Sequence, residues 1–261
     1  MKQLILAAAA VVALAGGSAS AADLARRMPR AVPAPVAPVF SWTGWYFGAN
    51  VGYSWGRVEN DLSLTSGSLG GTWLGAERQN VDGVIAGVQS GINWQAGIWV
   101  IGLESDIQWS GQEGDSTFCV FNCSLPLLAR VDFFGDHKLN WFGTSRTRIG
   151  FLLGDFALLY GTAGIAYGQV EANYTINAGT TPFAVVNFED TRAGWTAGAG
   201  IEGAFGGGWS AKLEYLYIDL GERTFTATTT TGAAFSWNQQ FTDHIVRVGL
   251  NFKGGLFGLV R

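Results

Sequence analysis

The sequence predicts an all-β protein, an eight-stranded antiparallel transmembrane β-barrel. Apolar and polar residues alternate with a period of two in eight segments, the pattern of strands with one apolar and one polar face. Only 14% of the 261 residues are charged, against about a quarter in a typical soluble domain. Beyond the N-terminus, no run approaches the roughly 18 apolar residues that a membrane helix needs. Strands are therefore the elements by which this chain would cross a bilayer.

The N-terminus has the features of an export signal. Lys2 supplies the charged start, residues 4–15 form an apolar segment, and small residues at 19–21 provide a cleavage site. We assign residues 1–22 to a signal peptide, so the mature protein leaves the cytoplasm. Residues 23–40 hold four prolines and three arginines, which predicts an extended linker. A disordered tether is favoured there over a segment that contacts anionic lipid or peptidoglycan.

The second and third strands form the clearest hairpin. Even positions of 83–94 are mostly apolar, whereas in 99–109 the odd positions are apolar and the even ones include Glu104 and Asp106. Tryptophans mark the ends of the apolar face, including Trp109. Strands of about ten residues with aromatic ends suit a bilayer crossing, with the apolar face toward lipid and the polar face toward a barrel interior.

Six further segments complete the predicted barrel, which covers residues 41–252. Their ranges are 42–58, 139–151, 156–170, 191–205, 209–219 and 243–252. The facing of 156–170 stays ambiguous, because both alternating sets are apolar. Three short turns alternate with four long polar loops, at 59–82, 110–138, 171–190 and 220–242. This pattern is typical of outer-membrane barrels, with short periplasmic turns, long extracellular loops and both termini periplasmic.

The aromatic residues support the same topology independently. One set falls at the short-turn ends of the strands: Trp45, Trp94, Trp99, Phe151, Phe205, Trp209 and Phe252. A second set falls at the long-loop ends: Trp55, Trp109, Trp141, Trp195 and Tyr217. Two belts are what interfacial aromatic residues form at the two surfaces of a membrane.

The predicted inward faces carry four acids and four bases. These are Glu104, Asp106, Glu202, Glu214, Arg146, Arg148, Lys212 and Arg247. Eight strands enclose a space that side chains can fill, and buried charges must be paired. The favoured interpretation is an interior closed by salt bridges. The alternative is a narrow polar pore, or a gate made of pairs that can switch.

The only two cysteines, Cys119 and Cys123, fall in the second predicted loop. Export makes a disulfide feasible, and two cysteines allow a single pairing. We favour this bridge over free thiols. A metal site is not expected, since no histidine or third cysteine lies nearby in sequence.

The only two histidines, His137 and His244, each follow an aspartate at a predicted loop rim. No nucleophile elbow accompanies them, so an enzyme is not expected. Haem ligation by a rim histidine is an alternative, because imidazole binds iron, but a solvated loop histidine is favoured and no cofactor is expected. The net charge of −4 without a basic stripe excludes a nucleic-acid partner.

Five segments resemble the small outer-membrane β-barrel proteins of alphaproteobacteria. They are 43–53, 87–95, 159–168, 212–217 and 246–252. That family includes major surface antigens and haem-binding, porin-like proteins, and it is related in architecture to the OmpA transmembrane domain. In such barrels the last strand usually ends the chain at its aromatic residue, whereas here a tail of residues 253–261 follows Phe252.

The resemblance implies an outer-membrane location in a Gram-negative bacterium. The partners to expect are outer-membrane lipid with lipopolysaccharide, the barrel-assembly machinery and, through the linker, peptidoglycan. The leading functional hypothesis is a structural barrel that supports envelope integrity and presents surface loops. The alternatives are a narrow porin for small solutes and a surface binder of haem.

Overall fold

The computed structural model describes residues 40–66, 71–121, 131–178, 181–228 and 234–254. The predicted signal peptide, the linker apart from Phe40, and residues 255–261 of the tail lie outside these ranges. None of the described residues belongs to a helix long and apolar enough to span a bilayer.

Eight antiparallel strands form a closed barrel in which each strand pairs with its neighbours in sequence, and β8 closes onto β1. The strands are β1 (Gly44–Ser66), β2 (Gly71–Ala96), β3 (Trp99–Phe121), β4 (Val131–Leu153), β5 (Ala157–Ala178), β6 (Thr181–Gly206), β7 (Trp209–Thr228) and β8 (Ala234–Phe252). Closure leaves no free sheet edge, so every strand can satisfy its backbone hydrogen bonds within the barrel. The predicted fold class is confirmed.

Tight turns join the strands at one end of the barrel, which we call the short-turn end. Gly97 and Ile98 connect β2 to β3, and Gly207 and Gly208 connect β6 to β7. Both glycines at 207 and 208 have positive φ, 61° and 83°, a conformation that residues with a Cβ rarely adopt. We call the opposite end the loop end.

The strands extend much further toward the loop end than the sequence predicted. Most of the segments expected to be loops are strand: β1 and β2 pair from Gly44↔Asn93 to Ser66↔Gly71. Toward the loop end both faces of the wall carry polar residues, such as Glu59 and Asn60. The period-two hydrophobic signal therefore fades there, although the backbone remains in the ladder.

The outward face of the barrel carries an apolar band between two rings of aromatic side chains. Trp45, Trp94, Trp99 and Phe205 are exposed near the short-turn end, and Trp55, Trp109 and Trp195 near the other edge of the band. The strand register brings ring members side by side, as in Trp99↔Phe151 and Trp109↔Trp141. The two predicted aromatic sets thus form two rings around one band.

A bulge in β4 corrects one part of the predicted facing. Period-two alternation through 139–151 predicts that Leu139 shares the outward face of Trp141, but Leu139 is buried in the interior, and Asn140 is exposed and donates to Glu171 Oε1. The β4–β5 register shifts between Leu139 and Trp141. The extra residue reverses the alternation on one side of the bulge.

The structure also resolves the ambiguous facing of β5. Leu158 and Tyr160 point into the barrel, whereas Leu159 and Ile165 are exposed on the outside. Both sets are apolar because the interior is not uniformly polar: apolar layers lie on either side of the charged residues.

The barrel interior as candidate functional site

The eight predicted interior charges meet in one buried layer, which we call the charged layer. Its members are Glu104, Asp106, Arg146, Arg148, Glu202, Lys212, Glu214 and Arg247. The strand register places acids directly across from bases on neighbouring strands: Glu104↔Arg146, Glu202↔Lys212 and Glu214↔Arg247. All eight side chains are at most 5% exposed, so the predicted inward facing is correct for every one of them.

Arg146 pairs with three acids of the layer. Its Nη2 lies 2.5 Å from Glu104 Oε1 and 3.0 Å from Asp106 Oδ2, and its Nη1 lies 3.0 Å from Glu214 Oε1. Because these acids come from β3 and β7, the single guanidinium ties strands from different parts of the wall together. Charge-assisted hydrogen bonds of this kind are stronger than those between neutral groups.

Arg247 and Lys212 supply further positive charge to the same three acids. Arg247 Nη2 lies 2.9 Å from Asp106 Oδ2 and 2.6 Å from Glu214 Oε2, and Lys212 Nζ lies 2.7 Å from Glu104 Oε1. Each of the three carboxylates therefore faces two or more cations. Removing charges from water is costly unless they are paired, and this arrangement meets that requirement inside a low-dielectric wall.

Arg148 pairs with the fourth acid and is held by aromatic rings. Its Nη1 lies 2.9 Å from Glu202 Oε2. Its guanidinium carbon lies 4.7 Å from the ring centroid of Tyr46 and 5.2 Å from that of Tyr160, within the range of a cation–π interaction. The two hydroxyls then donate to Glu104 Oε2 at 2.7 Å and to Glu214 Oε1 at 2.9 Å.

These two tyrosines are interior residues that the charge-based sequence argument did not select. Tyr46 lies on the polar face of the first predicted strand, a position that could have marked it as inward. Tyr160 lies on the strand whose facing was ambiguous, so its sequence carried no such signal. Together the two tyrosines connect Arg148 to Glu104 and Glu214.

The short-turn end of the interior is closed by a second group, the base cluster of Trp42, Val100, Leu158 and Tyr160. Trp42 is 3% exposed, and its backbone N–H donates to Gln95 Oε1 at 2.9 Å. Lys253 Nζ donates to the backbone oxygen of Ser41. Trp42 was predicted to open the first strand; instead the chain before Gly44 turns across the mouth, and β1 begins after it.

On the loop-end side, the charged layer is followed by an apolar layer. It contains Val58, Val81, Ile85, Leu139, Phe142, Ala166, Val170, Leu216, Ile218, Leu220, Phe241 and Ile245. One buried carboxyl lies at this level: Asp243 accepts hydrogen bonds from the Ser54 hydroxyl and, at 3.1 Å, from Gln112 Nε2. Water is excluded from such a packed apolar layer, so this layer separates the charged layer from the loop end.

A third polar group, the rim cluster, lies beyond the apolar layer and consists of His137, Tyr174, Arg192 and Gln239. His137 Nε2 lies 2.8 Å from the Tyr174 hydroxyl and 2.7 Å from Gln239 Nε2. Arg192 Nη2 donates to Gln239 Oε1. Burial and the nearby Arg192 charge lower the pKa of His137 to about 4.

The two histidines predicted at the rim lie on opposite faces of the wall. His137 is buried in the interior, whereas His244 is exposed on the outside, where its Nδ1 lies 2.7 Å from the Tyr215 hydroxyl. Their preceding aspartates alternate in the same way, Asp136 outward and Asp243 inward. The structure therefore does not bring His137 and His244 together around one ligand.

The remaining predicted site residues are the cysteines. Cys119 is disulfide-bonded, and its predicted partner Cys123 lies outside the described residues, so the specific pairing stays a prediction. Among the residues that the structure describes, no group of three or more His, Cys, Asp or Glu side chains is arranged to hold a metal ion.

Comparison with known proteins gives consistent matches over nearly the whole chain. The family model described as outer membrane protein beta-barrel domain matches residues 7–253. A 31 kDa outer-membrane immunogenic protein of Brucella melitensis is 36% identical over 97% of this chain and 100% of its own length. A 22 kDa outer membrane protein of Rhizobium leguminosarum is 30% identical over 84% of this chain and 82% of its own.

Among solved structures, the outer membrane protein OprG from Pseudomonas aeruginosa is similar with a TM-score of 0.43 and 10% identity. The match covers 81% of this chain and 98% of that one.

Proposed function

Because the chain belongs to the outer membrane protein beta-barrel domain family, we propose that it is a closed structural barrel of the outer membrane, supporting envelope integrity and presenting surface loops. The observation that carries this proposal is the charged layer, in which four acids and four bases compensate one another within the barrel. A filled interior suits a structural barrel better than a channel.

The orientation follows from the asymmetry of the two ends. We place the short turns and both termini in the periplasm and the long hairpins outside, as is usual for barrels of this kind. The base cluster then faces the periplasm, and the preceding linker would extend toward peptidoglycan. The apolar band between the aromatic rings would contact lipid, with lipopolysaccharide around the loop end, and the barrel-assembly machinery would insert the chain.

The narrow-pore alternative meets three successive obstacles. A solute would have to pass the base cluster, the charged layer and the apolar layer, each made of buried side chains. Opening the charged layer means separating ion pairs such as Arg146–Asp106 at 3.0 Å and Arg247–Asp106 at 2.9 Å. Leaving a buried charge without its partner costs about 3–5 kcal/mol, which opposes a permanently open channel.

The haem-binding alternative draws little support from the histidine geometry. His137 Nε2 already contacts Tyr174 and Gln239, and His244 packs against the side chain of Tyr217 on the outer surface. An enzymatic role is not proposed either. Within the described residues, the hydrogen-bond partners of His137 are Tyr174 and Gln239, not a serine or cysteine that could act as a nucleophile.

The experiment that tests the envelope role compares strains. A deletion strain should become more sensitive to detergent and chelator, and expression of the full chain should restore resistance. A variant with shortened hairpin tips but an intact barrel should also restore it, because the wall rather than the loops carries this function. Unchanged sensitivity in the deletion strain would contradict a role in envelope integrity.

Surface presentation is tested separately with an epitope. A tag inserted within 122–130 should be labelled by antibody on intact cells, whereas a tag at the short turn around Gly154 should be labelled only after permeabilisation. The reverse pattern would overturn the proposed orientation.

A further inference from the structure

The rim cluster contains a hydrogen-bond network whose proton positions are fixed by one arginine. A guanidinium donates hydrogen bonds and cannot accept them. The oxygen of the Gln239 amide must therefore face Arg192, as it does. The NH₂ group of Gln239 is consequently turned toward His137 and Tyr174, at 2.7 Å and 3.0 Å.

This orientation dictates the state of His137. Its Nε2 faces an NH₂ donor, so Nε2 must carry a lone pair, and the ring proton must sit on Nδ1. The histidine is thus neutral when the network is intact. A proton added to Nε2 would point at the NH₂ group of Gln239 and would place a second positive charge beside Arg192.

The groups around His137 come from several strands. Tyr174 contacts it from β5, Gln239 from β8, and Arg192 on β6 acts through its charge. Arg192 Nε lies 3.7 Å from Asp190 Oδ2, and Arg223 Nε lies 3.8 Å from the same oxygen.

The charged neighbours of His137 on its own strand contribute less. Asp136 and Lys138 point outward, with Lys138 paired to Glu113, whereas Asp132 is buried. In the described part of the chain, His137 Nε2 is hydrogen-bonded to Tyr174 and Gln239, and neither side chain carries a negative charge that would offset protonation.

The network also crosses the barrel. In a closed ring of eight strands, β4 and β8 lie on opposite sides, and the His137–Gln239 contact joins them. The contact lies four residues beyond Trp141 on β4, outside the band between the two aromatic rings.

We propose that His137, Tyr174, Arg192 and Gln239 form an acid-released latch, which holds the loop end of the barrel together at neutral pH and opens when His137 is protonated. The lowered pKa of His137 agrees with this geometry. An unfolded or opened segment would bind the proton at the ordinary histidine pKa of 6.5, whereas the closed latch binds it only at about 4. The open form therefore holds more protons between these values, and closure weakens as the pH falls through this window.

The first test reads the histidine directly. The mature chain, without any affinity tag, has two histidines, so selective ¹⁵N-histidine labelling in detergent micelles gives two imidazole systems, which a His244→Gln variant assigns. We expect the His137 ring to carry its proton on Nδ1 at neutral pH and to titrate well below an ordinary histidine. A proton on Nε2 at neutral pH, or titration near the ordinary value, would overturn the latch.

The second test measures opening. Amide exchange of residues 131–140 and 234–241, corrected for the intrinsic rate at each pH, is compared between wild type and His137→Gln. Between neutral pH and about pH 4, we expect the opening constant of these segments to rise by up to about two orders of magnitude in wild type and much less in the variant. Residues 99–106 serve as the internal control. An equal rise in both proteins would assign the effect to carboxylates and contradict the proposal.

Discussion

At the scale of single residues, the interior charges are interdependent rather than additive. Glu104 contacts Arg146, Lys212 and Arg148, the last at 3.6 Å, and each base in turn contacts other acids. Deleting one member leaves its partners buried with unbalanced charge, and that cost exceeds the loss of one hydrogen bond. The stability of the layer therefore depends on its charge balance.

Replacement of Arg146 tests this dependence. We expect Arg146→Met to lower the free energy of unfolding by about 3–5 kcal/mol, because three carboxylates lose a shared cation. The measurement is urea-induced unfolding of the folded barrel in lipid vesicles, followed by tryptophan fluorescence.

Two further variants control the interpretation of that experiment. The double variant Arg146→Met with Glu214→Gln restores charge balance and should recover part of the loss. Arg57→Met, at an exposed position, should change stability by less than about 0.5 kcal/mol. If the double variant were less stable than the single one by the full cost of a second lesion, charge balance would not be what stabilises the layer.

The inward facing of the charged residues could be predicted from the sequence. When charges recur at every second position of a strand whose other positions are apolar, the charges share one face and the apolar residues face lipid. This alternation alone placed all eight charges inside the barrel. Tyr160 and Trp42 were not predicted as interior residues, because apolar and aromatic side chains suit either face of such a wall. The pairing partners were also beyond reach, since they depend on the register between strands.

At the scale of the strands, glycines make room for the interior tyrosines. A Cβ on Gly200 would lie 2.6 Å from the Tyr160 hydroxyl oxygen, and one on Gly91 would lie 2.3 Å from that of Tyr46. These glycines therefore leave the space that each tyrosine side chain occupies beside the neighbouring strand. The resulting tyrosine positions support the Arg148 contacts described above.

The paired variants Gly200→Ala and Gly203→Ala test this on one strand. Gly200→Ala should displace Tyr160 and destabilise the barrel by about 1–3 kcal/mol, as overpacking does. A Cβ at Gly203 would have no atom of a non-adjacent residue within 4 Å, so Gly203→Ala should leave the stability of the barrel nearly unchanged. The readout is the temperature at which the folded band is lost on a gel. Equal effects of the two variants would show that alanine in β6, rather than the tyrosine contact, is responsible.

The apolar band makes a depth-dependent prediction. Leu103 is 52% exposed on the outward face between the two aromatic rings, and Val185 is 62% exposed well beyond them. We expect Leu103→Arg to cost about 2–4 kcal/mol in vesicles, as arginine does near a bilayer midplane. Val185→Arg should cost close to nothing. Similar costs at both positions would contradict the assignment of this band to the membrane.

Strand number and order followed from period-two alternation, as did facing except in β5 and at Leu139, but strand length did not. The signal depends on a contrast between lipid and interior, so it ended where both faces become polar, near Val58 in β1 and Asp243 in β8. The bulge at Asn140 was also missed, since a single extra residue leaves the composition of the strand unchanged while it reverses the facing of Leu139.

At the scale of the whole molecule, the interior is a stack of layers with different chemistry. From the short-turn end they are the base cluster, the charged layer, the apolar layer and the rim cluster. The sequence predicted a filled, charge-paired interior but not this stacking, because the residues of the apolar layer come from six strands and share no local pattern. Because these layers fill the interior, the stack favours a closed structural barrel over a channel.

The closed interior is tested most directly by ion conductance. The mature chain is refolded in detergent, its folded state is verified by a shift in gel mobility on boiling, and it is inserted into planar bilayers. We expect folded, heat-modifiable protein that gives no steady single-channel current at neutral pH. Stable conductance steps from the folded protein, absent with the boiled sample, would contradict a closed barrel and would make the eight interior charges the lining of a pore.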